Sequence, residues 1–88
     1  MSKNKWYWGM FYNAKKFNQD ISGWDTSRAV SFSTMFLGAD IFNQDIGNWD
    51  TSRVFTMFQM FRNTKKFNQD LGSWNTSSVT DFTGMFQN

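Results

Sequence analysis

The sequence predicts an α/β repeat fold, a short solenoid in which each coil contributes one short parallel strand and one short helix. The first observation is a period of 25 residues, because the tetrapeptide Phe-Asn-Gln-Asp occupies residues 17–20, 42–45 and 67–70. The second is a change of hydrophobic spacing inside each repeat, from every second residue to every third and fourth. A fixed period of this length is typical of chains whose repeats bury their apolar faces by stacking on one another.

The period divides the chain into units of one domain, residues 1–88. We assign a partial unit to 1–11, full units to 12–36, 37–61 and 62–86, and the start of a next unit to 87–88. The chain has no cysteine and no histidine, so neither a disulfide framework nor a zinc site can hold it together. Eleven Phe, five Trp and two Tyr are the available core material, and we expect their rings to stack between repeats.

The first half of each unit predicts a short parallel strand. Phe17 and Ile21 alternate with polar residues, so an extended chain would turn them to the core and turn Asn18 and Asp20 outward. The same pattern recurs at 42–46 and 67–71. The second strand face therefore carries two polar columns, which are Asn18, Asn43 and Asn68, and Asp20, Asp45 and Asp70.

The second half of each unit predicts a helix of about two turns. Phe32, Met35 and Phe36 have the i, i+3, i+4 spacing of one helix face, and the spacing recurs one and two periods later. The helix would begin at the column of Ser31 or already at that of Ser27. Its end is predicted by a column that holds only Asn or Gly, at Asn13, Gly38, Asn63 and Asn88, since these residues tolerate the left-handed conformation. The expected core is formed by the columns of Phe17, Ile21, Trp24, Phe32, Met35 and Phe36.

These motifs resemble a known family. Phe-Asn-Gln-Asp-Ile, a small turn, Trp-Asp-Thr-Ser and then Met-Phe at helical spacing are similar to the BspA-like bacterial surface-protein repeat, over roughly residues 10–88. This is a divergent leucine-rich-repeat class, also found in mycoplasma lipoproteins and Listeria-type surface proteins. The resemblance implies a leucine-rich-repeat-like solenoid, a cell-surface or extracellular location, and a role in adhesion and protein interaction. Residues 1–9 lack the apolar stretch of a signal peptide, so the sequence itself leaves the location unknown.

We expect a non-enzymatic structural and protein-interaction module that self-associates end to end. Large apolar residues that interrupt polar columns are candidate contacts, and these are Trp6, Trp8, Phe55 and Phe58. The alternative for Trp6 and Trp8 is that they fold over the first coil and cap it. Phe17 and Phe67 are added because they lie at the two ends of the stack and should be the least covered. An unpaired edge at each end would be a template for a second copy, giving a homo-oligomer.

The alternative is a glycan- or cation-binding module that uses the Asn and Asp columns of the strand face. Hydrogen bonding between Asn amides and to turn amides would account for these columns without a ligand. We expect no metal, no cofactor and no catalytic residues, because the carboxylates recur as columns and do not converge in a pocket. A net charge of +2 does not indicate a nucleic-acid partner, and no apolar run is long enough for membrane insertion. The sequence identifies no small-molecule ligand.

Overall fold

Successive repeats lie on one another in register in the computed structural model, which describes residues 5–87. The register is marked by single parallel β-bridges that join Trp6 to Ser31, Ser31 to Thr56, and Thr56 to Asp81. Each bridge therefore links a residue to its equivalent 25 positions on. The described chain measures 27 × 26 × 22 Å, so the stack is about as broad as it is tall.

The predicted fold class is wrong. Residues 5–87 contain no helix, and their only β-structure is the set of isolated bridges, so the chain is a compact globule built from turns and not an α/β, leucine-rich-repeat-like solenoid. Longer turn segments cover 8–13, 33–38, 58–63 and 83–86, at the positions for which helices are predicted. In this part of the chain there is accordingly no helix that could cross a membrane.

The backbone hydrogen bonds of the second half-repeat explain why no helix forms there. Alternate N–H groups bond to the next repeat, as Gly9 N does to Ser33 O at 3.0 Å and Phe11 N to Met35 O at 2.9 Å. The N–H groups between them close turns within the repeat, as Tyr12 N does to Gly9 O at 3.1 Å. A helix would direct every N–H to the carbonyl four residues back. Half of the donors are used between repeats instead.

Left-handed backbone occurs twice in each of the segments 8–13, 33–38 and 58–63, and once in 83–86. The predicted left-handed column is confirmed at Asn13, Gly38 and Asn63, with φ of 56°, 74° and 57°, while Asn88 lies outside the described residues. A second column lies four residues earlier, and its members are Gly9, Thr34, Gln59 and Gly84, with φ of 62°, 53°, 50° and 63°. An α-helix needs right-handed backbone throughout, so two left-handed residues four apart exclude it.

The predicted strands at 17–21, 42–46 and 67–71 are also absent. Side chains take the place of a backbone ladder here, because Asn43 N donates to Asn18 Oδ1 at 2.9 Å and Gln44 Nε2 donates to Asn18 O at 2.9 Å. The same two bonds recur one repeat later, from Asn68 N and Gln69 Nε2 to Asn43. An Asn side chain therefore bridges each of these segments to the next.

Aromatic rings form the core of the stack. Phe36 is fully buried, and its ring centroid lies 5.6 Å from Phe11 in the repeat before and 5.6 Å from Phe61 in the repeat after, with planes within 7° of parallel. It also stacks on Phe42, six residues further along the chain, at 4.1 Å. Trp49 is buried beside them, and its Nε1 donates to Ile21 O at 3.1 Å. Burial of such rings is the main source of stability that a domain of this size has available.

Candidate interaction surfaces

Three aromatic side chains form an exposed cluster on one side of the stack. Trp6, Trp8 and Phe55 are 58%, 71% and 43% exposed. The rings of Trp6 and Phe55 meet edge to face, with centroids 6.3 Å apart at 84°. Because Phe55 lies two repeats beyond Trp6, the Trp6 ring extends across the intervening repeat. The structure therefore brings together three of the predicted contact residues.

An open cleft lies beside this cluster. Trp6, Trp8, Ser31 and Ser33 line it, and its volume is about 560 Å³. It exists because Ser31 and Ser33 are the small members of the columns that begin with Trp6 and Trp8. The fourth predicted contact residue, Phe58, is half-buried. We call the surface formed by Trp6, Trp8, Ser31, Ser33 and Phe55 the aromatic cleft.

The last repeat exposes a second apolar surface, which we call the C-terminal edge and define as residues 80–87. Phe82 and Phe86 are 47% and 58% exposed there, although Phe32 and Phe36, their equivalents, are fully buried. The backbone N–H groups of Phe82, Gly84 and Phe86 have no partner within the described chain. Their equivalents in earlier repeats donate to the repeat that follows, so these three groups lie on the stacking face of the last described repeat.

Phe17 and Phe67 lie in the aromatic stack and not on an open face. Both are half-buried and pack against the core. Phe17 stacks on Phe11 at 3.9 Å, and Phe67 stacks on Phe61 at 4.2 Å. They are not the least covered rings of the chain, since Phe82 and Phe86 are more exposed.

Two members of the Asp column, Asp45 and Asp70, border a polar groove of about 370 Å³. Its lining residues are Asp45, Gly47, Asn48, Gln69, Asp70, Gly72 and Ser73. The Asp columns accept hydrogen bonds from turn amides two residues on, from Ser22 N to Asp20 at 2.9 Å, from Gly47 N to Asp45 at 3.0 Å and from Gly72 N to Asp70 at 2.8 Å. Each carboxylate thus fixes the turn of its own repeat.

The electrostatics of this surface follow from the same turns. The Ser22 hydroxyl donates to Asp20 at 2.7 Å, and this bond, together with that from the Ser22 amide, holds the pKa of the Asp20 carboxyl below its usual value. Hydrogen bonds to the ionised form stabilise it. Between residues 5 and 87 no group of three or more His, Cys, Asp or Glu side chains is placed to hold a metal ion.

The sequence matches a family model described as "Mycoplasma protein of unknown function, DUF285" over residues 4–88. The chain belongs to the DUF285 family. The match covers the three full units, 12–36, 37–61 and 62–86. No curated protein and no solved structure matches the chain.

Within this DUF285 chain, the sequence pattern does not indicate that Phe82 and Phe86 are surface residues. They repeat the spacing of Phe32 and Phe36, which indicates core, and a repeat pattern alone gives every member of a column the same environment. The exposure of these two rings is therefore seen only in the structure.

Proposed function

We propose that this chain is a non-enzymatic protein-interaction module that associates with further copies of itself through the ends of its repeat stack. The observation that carries the proposal is the C-terminal edge. There the exposed rings of Phe82 and Phe86 lie beside three backbone N–H groups that have no partner among residues 5–87. A second copy would cover apolar surface at about 25 cal/mol per Å² and would supply acceptors worth about 0.5–1.5 kcal/mol each.

The proposal includes a setting for this interaction. The repeat resembles that of BspA-like bacterial surface proteins, and the DUF285 match is to a mycoplasma family. We therefore place the module at a cell surface, where self-association and contact with other proteins would contribute to adhesion. The side chains support a role without catalysis, because Asp20, Asp45 and Asp70 each hold a turn of their own repeat.

Light scattering across a concentration series tests the self-association. The average mass of the 88-residue chain should rise with concentration, and Phe86→Ser should reduce that rise because it removes an exposed ring from the C-terminal edge. Phe55→Ser is the matched control, since it removes a ring that is 43% exposed but belongs to the aromatic cleft. A monomer at every concentration would refute the proposal. Loss of association in Phe55→Ser alone would place the contact at the aromatic cleft instead.

A glycan- or cation-binding role at the polar groove is the second candidate. The groove favours it by combining amide, carboxylate and hydroxyl groups from two adjacent repeats in about 370 Å³. Under this alternative, added oligosaccharides or Ca²⁺ would shift the NMR signals of Asn43 and Asp45 while the mass stays constant. Titration of the unmodified chain, with its mass followed in parallel, therefore separates the two candidates.

A further inference from the structure

We infer that one side of the repeat stack binds an anionic lipid surface through a row of stacked turns. The tips of these turns are residues 15–16, 40–41 and 65–66, which read Lys-Lys, Asp-Ile and Lys-Lys. We call these six residues the basic ridge. The inference goes beyond the proposed self-association, because the ridge shares no residue with the C-terminal edge.

Each residue pair of the ridge occupies the tip of a β-turn. A backbone hydrogen bond closes each turn, from Phe17 N to Ala14 O at 3.0 Å, from Phe42 N to Ala39 O at 3.1 Å and from Phe67 N to Thr64 O at 3.2 Å. Such a bond leaves the two central residues at the outside of the bend. The two residues that flank the middle turn are fully buried, so its tip projects from the core.

The three turns lie on one another. Lys66 N donates to Asp40 O at 3.1 Å, and Lys15 Nζ lies 3.8 Å from Asp40 Oδ2. Asp40 therefore lies between the first turn and the third. Neighbouring extended chains are spaced by about 5 Å, so the four lysines project from a row about 10 Å long.

The ridge concentrates positive charge. Its four lysines and one aspartate carry a net charge of +3, whereas the whole chain carries +2. All four lysines are exposed. Lys15 is paired with Asp40, but the ammonium groups of Lys16, Lys65 and Lys66 have no ion pair among residues 5–87. The excess charge is therefore available to an external anion.

The carboxylates of the Asp column do not neutralise the ridge. Asp20, Asp45 and Asp70 each accept a hydrogen bond from an amide two residues further on, at 2.9, 3.0 and 2.8 Å. These bonds orient the carboxylates toward the following turn of each repeat. None of the three forms an ion pair with a lysine of the ridge.

An apolar side chain lies in the middle of this charge. Ile41 is 41% exposed, and its equivalents in the repeats before and after are Lys16 and Lys66. A single exposed apolar residue is ordinary on a protein surface. Flanked by lysines, however, it suits an anionic lipid surface, because the ammonium groups reach the phosphates while the apolar group enters the boundary between headgroups and acyl chains.

A nucleic acid would use the charges of the ridge but not Ile41. Proteins that bind single strands stack bases on aromatic rings or on the planar guanidinium of Arg, and the ridge contains neither. Ile41 would face the phosphate backbone and gain nothing from the contact. A lipid surface therefore accounts for more of the ridge than a nucleic acid does.

The binding should be weak for each residue and should depend on salt. A lysine close to an anionic membrane strengthens binding by about fivefold. Ile41 adds affinity as its exposed part leaves water. Exposed charges are screened over about 10 Å at 0.1 M ionic strength, so added salt should release the chain from the lipid.

Co-sedimentation with lipid vesicles tests the inference. Vesicles of phosphatidylglycerol and phosphatidylcholine in equal parts should bind the unmodified chain, and vesicles of phosphatidylcholine alone should bind it far more weakly. The double substitution of Lys65→Gln and Lys66→Gln should lower the affinity for the anionic vesicles by about 25-fold, which is about fivefold for each lysine. Both side chains are exposed, so the fold should be retained.

The double substitution of Arg28→Gln and Arg53→Gln is the matched control. It removes the same charge from two exposed side chains that lie about half a repeat away from the ridge. The described chain measures 27 × 26 × 22 Å, so these charges are largely screened at the ridge, and the affinity should change by less than about threefold. An equal loss in both double variants would overturn the inference, because net charge and not the ridge would then determine binding.

Ile41→Ser separates a lipid surface from a polyanion, and it should weaken binding to the anionic vesicles several-fold. Unchanged vesicle binding in this variant would overturn the inference, as would equal binding to the two kinds of vesicle. Binding to single-stranded DNA without binding to anionic vesicles would also overturn it and would indicate a nucleic-acid site. The Lys65→Gln, Lys66→Gln variant keeps the C-terminal edge, so its mass series should match that of the unmodified chain and tests the proposed function separately.

Discussion

Gly47 lies where the backbone of the following repeat approaches closely. A Cβ atom at this position would be 2.7 Å from the carbonyl oxygen of Asp70, well inside van der Waals contact. The obstacle is backbone, which cannot rotate away as a flexible side chain would. Ser22 occupies the equivalent position one repeat earlier, so the stack can adjust to a side chain in this column at some energetic cost.

We predict that Gly47→Ala lowers the free energy of unfolding by roughly 1–3 kcal/mol, the usual cost of overpacking. Gly23→Ala is the matched control, because no heavy atom lies within 4 Å of the Cβ position there. It should raise the free energy of unfolding by about 0.4–1 kcal/mol, since alanine restricts the unfolded chain. Urea unfolding of both variants measures the difference, and equal effects would show that the repeats do not approach as closely as described.

At the scale of the structural elements, hydrophobic spacing correctly identified buried residues but not the backbone that buries them. Phe32, Met35 and Phe36 are all fully buried, as a helix face would be. Successive turns of three to four residues return side chains to one side at nearly the same spacing, so the two backbones share one sequence pattern. Only the left-handed residues distinguish, in the sequence, a backbone of successive turns from a helix.

The sequence indicates only one of the two columns of left-handed residues. The column of Asn13 and Gly38 contains residue types that tolerate positive φ, and it was recognised. The other column contains Thr34 and Gln59 at φ of 53° and 50°, and neither type indicates this conformation. Packing between repeats imposes it, since Thr34 N and Gln59 N both donate to the repeat that follows. That information lies in the tertiary structure and not in the residue types.

The strands were predicted for a related reason. The alternation of Phe42 and Ile46 with polar residues predicts that these two side chains are buried. Both are buried in the structure. It does not report which groups complete the hydrogen bonds between repeats. Here the Asn18 and Asn43 side chains accept the bonds that a strand's carbonyls would accept.

The turn at Asp50 makes the stability of the stack depend on pH in the acid range. The side-chain hydrogen bond from Ser52, and then the bond from its amide, hold the pKa of the Asp50 carboxyl below 3.8. A lowered pKa in the folded state means that the stabilisation is present at neutral pH and is lost as the pH falls from about 3.8 through the folded-state pKa. The carboxyl is exposed, so the effect on stability is small.

We predict that Ser52→Ala raises the pKa of Asp50 toward its usual value, because it removes the larger of the two hydrogen bonds. The loss of stability in acid should then begin at a higher pH. Carboxyl NMR titration measures the pKa directly. Ser77→Ala is the matched control: the equivalent turn is held by Asn75, which does not titrate, so the acid dependence should not change. An unchanged Asp50 pKa in Ser52→Ala would contradict the prediction.

At the scale of the whole molecule, the sequence identified much of one surface and missed the other. Trp6, Trp8 and Phe55 interrupt polar columns, and the structure groups them. The C-terminal edge could not be found in this way, because Phe82 and Phe86 match their columns. Their exposure follows from the stacking order, and the direction of the unpaired N–H groups follows from a turn structure that the sequence pattern does not encode.

The continuous aromatic column should make the repeats unfold together. Phe36 contacts Phe11 in the preceding repeat and both Phe42 and Phe61 in the following one. Phe86 contacts Phe61 alone among the described ring pairs. Stacked repeats unfold as one unit when the interfaces between them contribute more than the isolated repeats do. A ring at the centre of the column should therefore affect the whole transition.

We predict that Phe36→Leu lowers the free energy of unfolding by roughly 1–3 kcal/mol, less than the 3–5 kcal/mol typical of Phe→Ala in a core. The transition in scanning calorimetry should remain single and move to lower temperature, since the central interfaces weaken on both sides at once. Phe86→Leu is the matched control and should change the free energy by less than about 0.5 kcal/mol, because that ring is largely exposed. Two separate transitions in Phe36→Leu would show that the repeats before and after it fold independently, and that the aromatic column does not couple them.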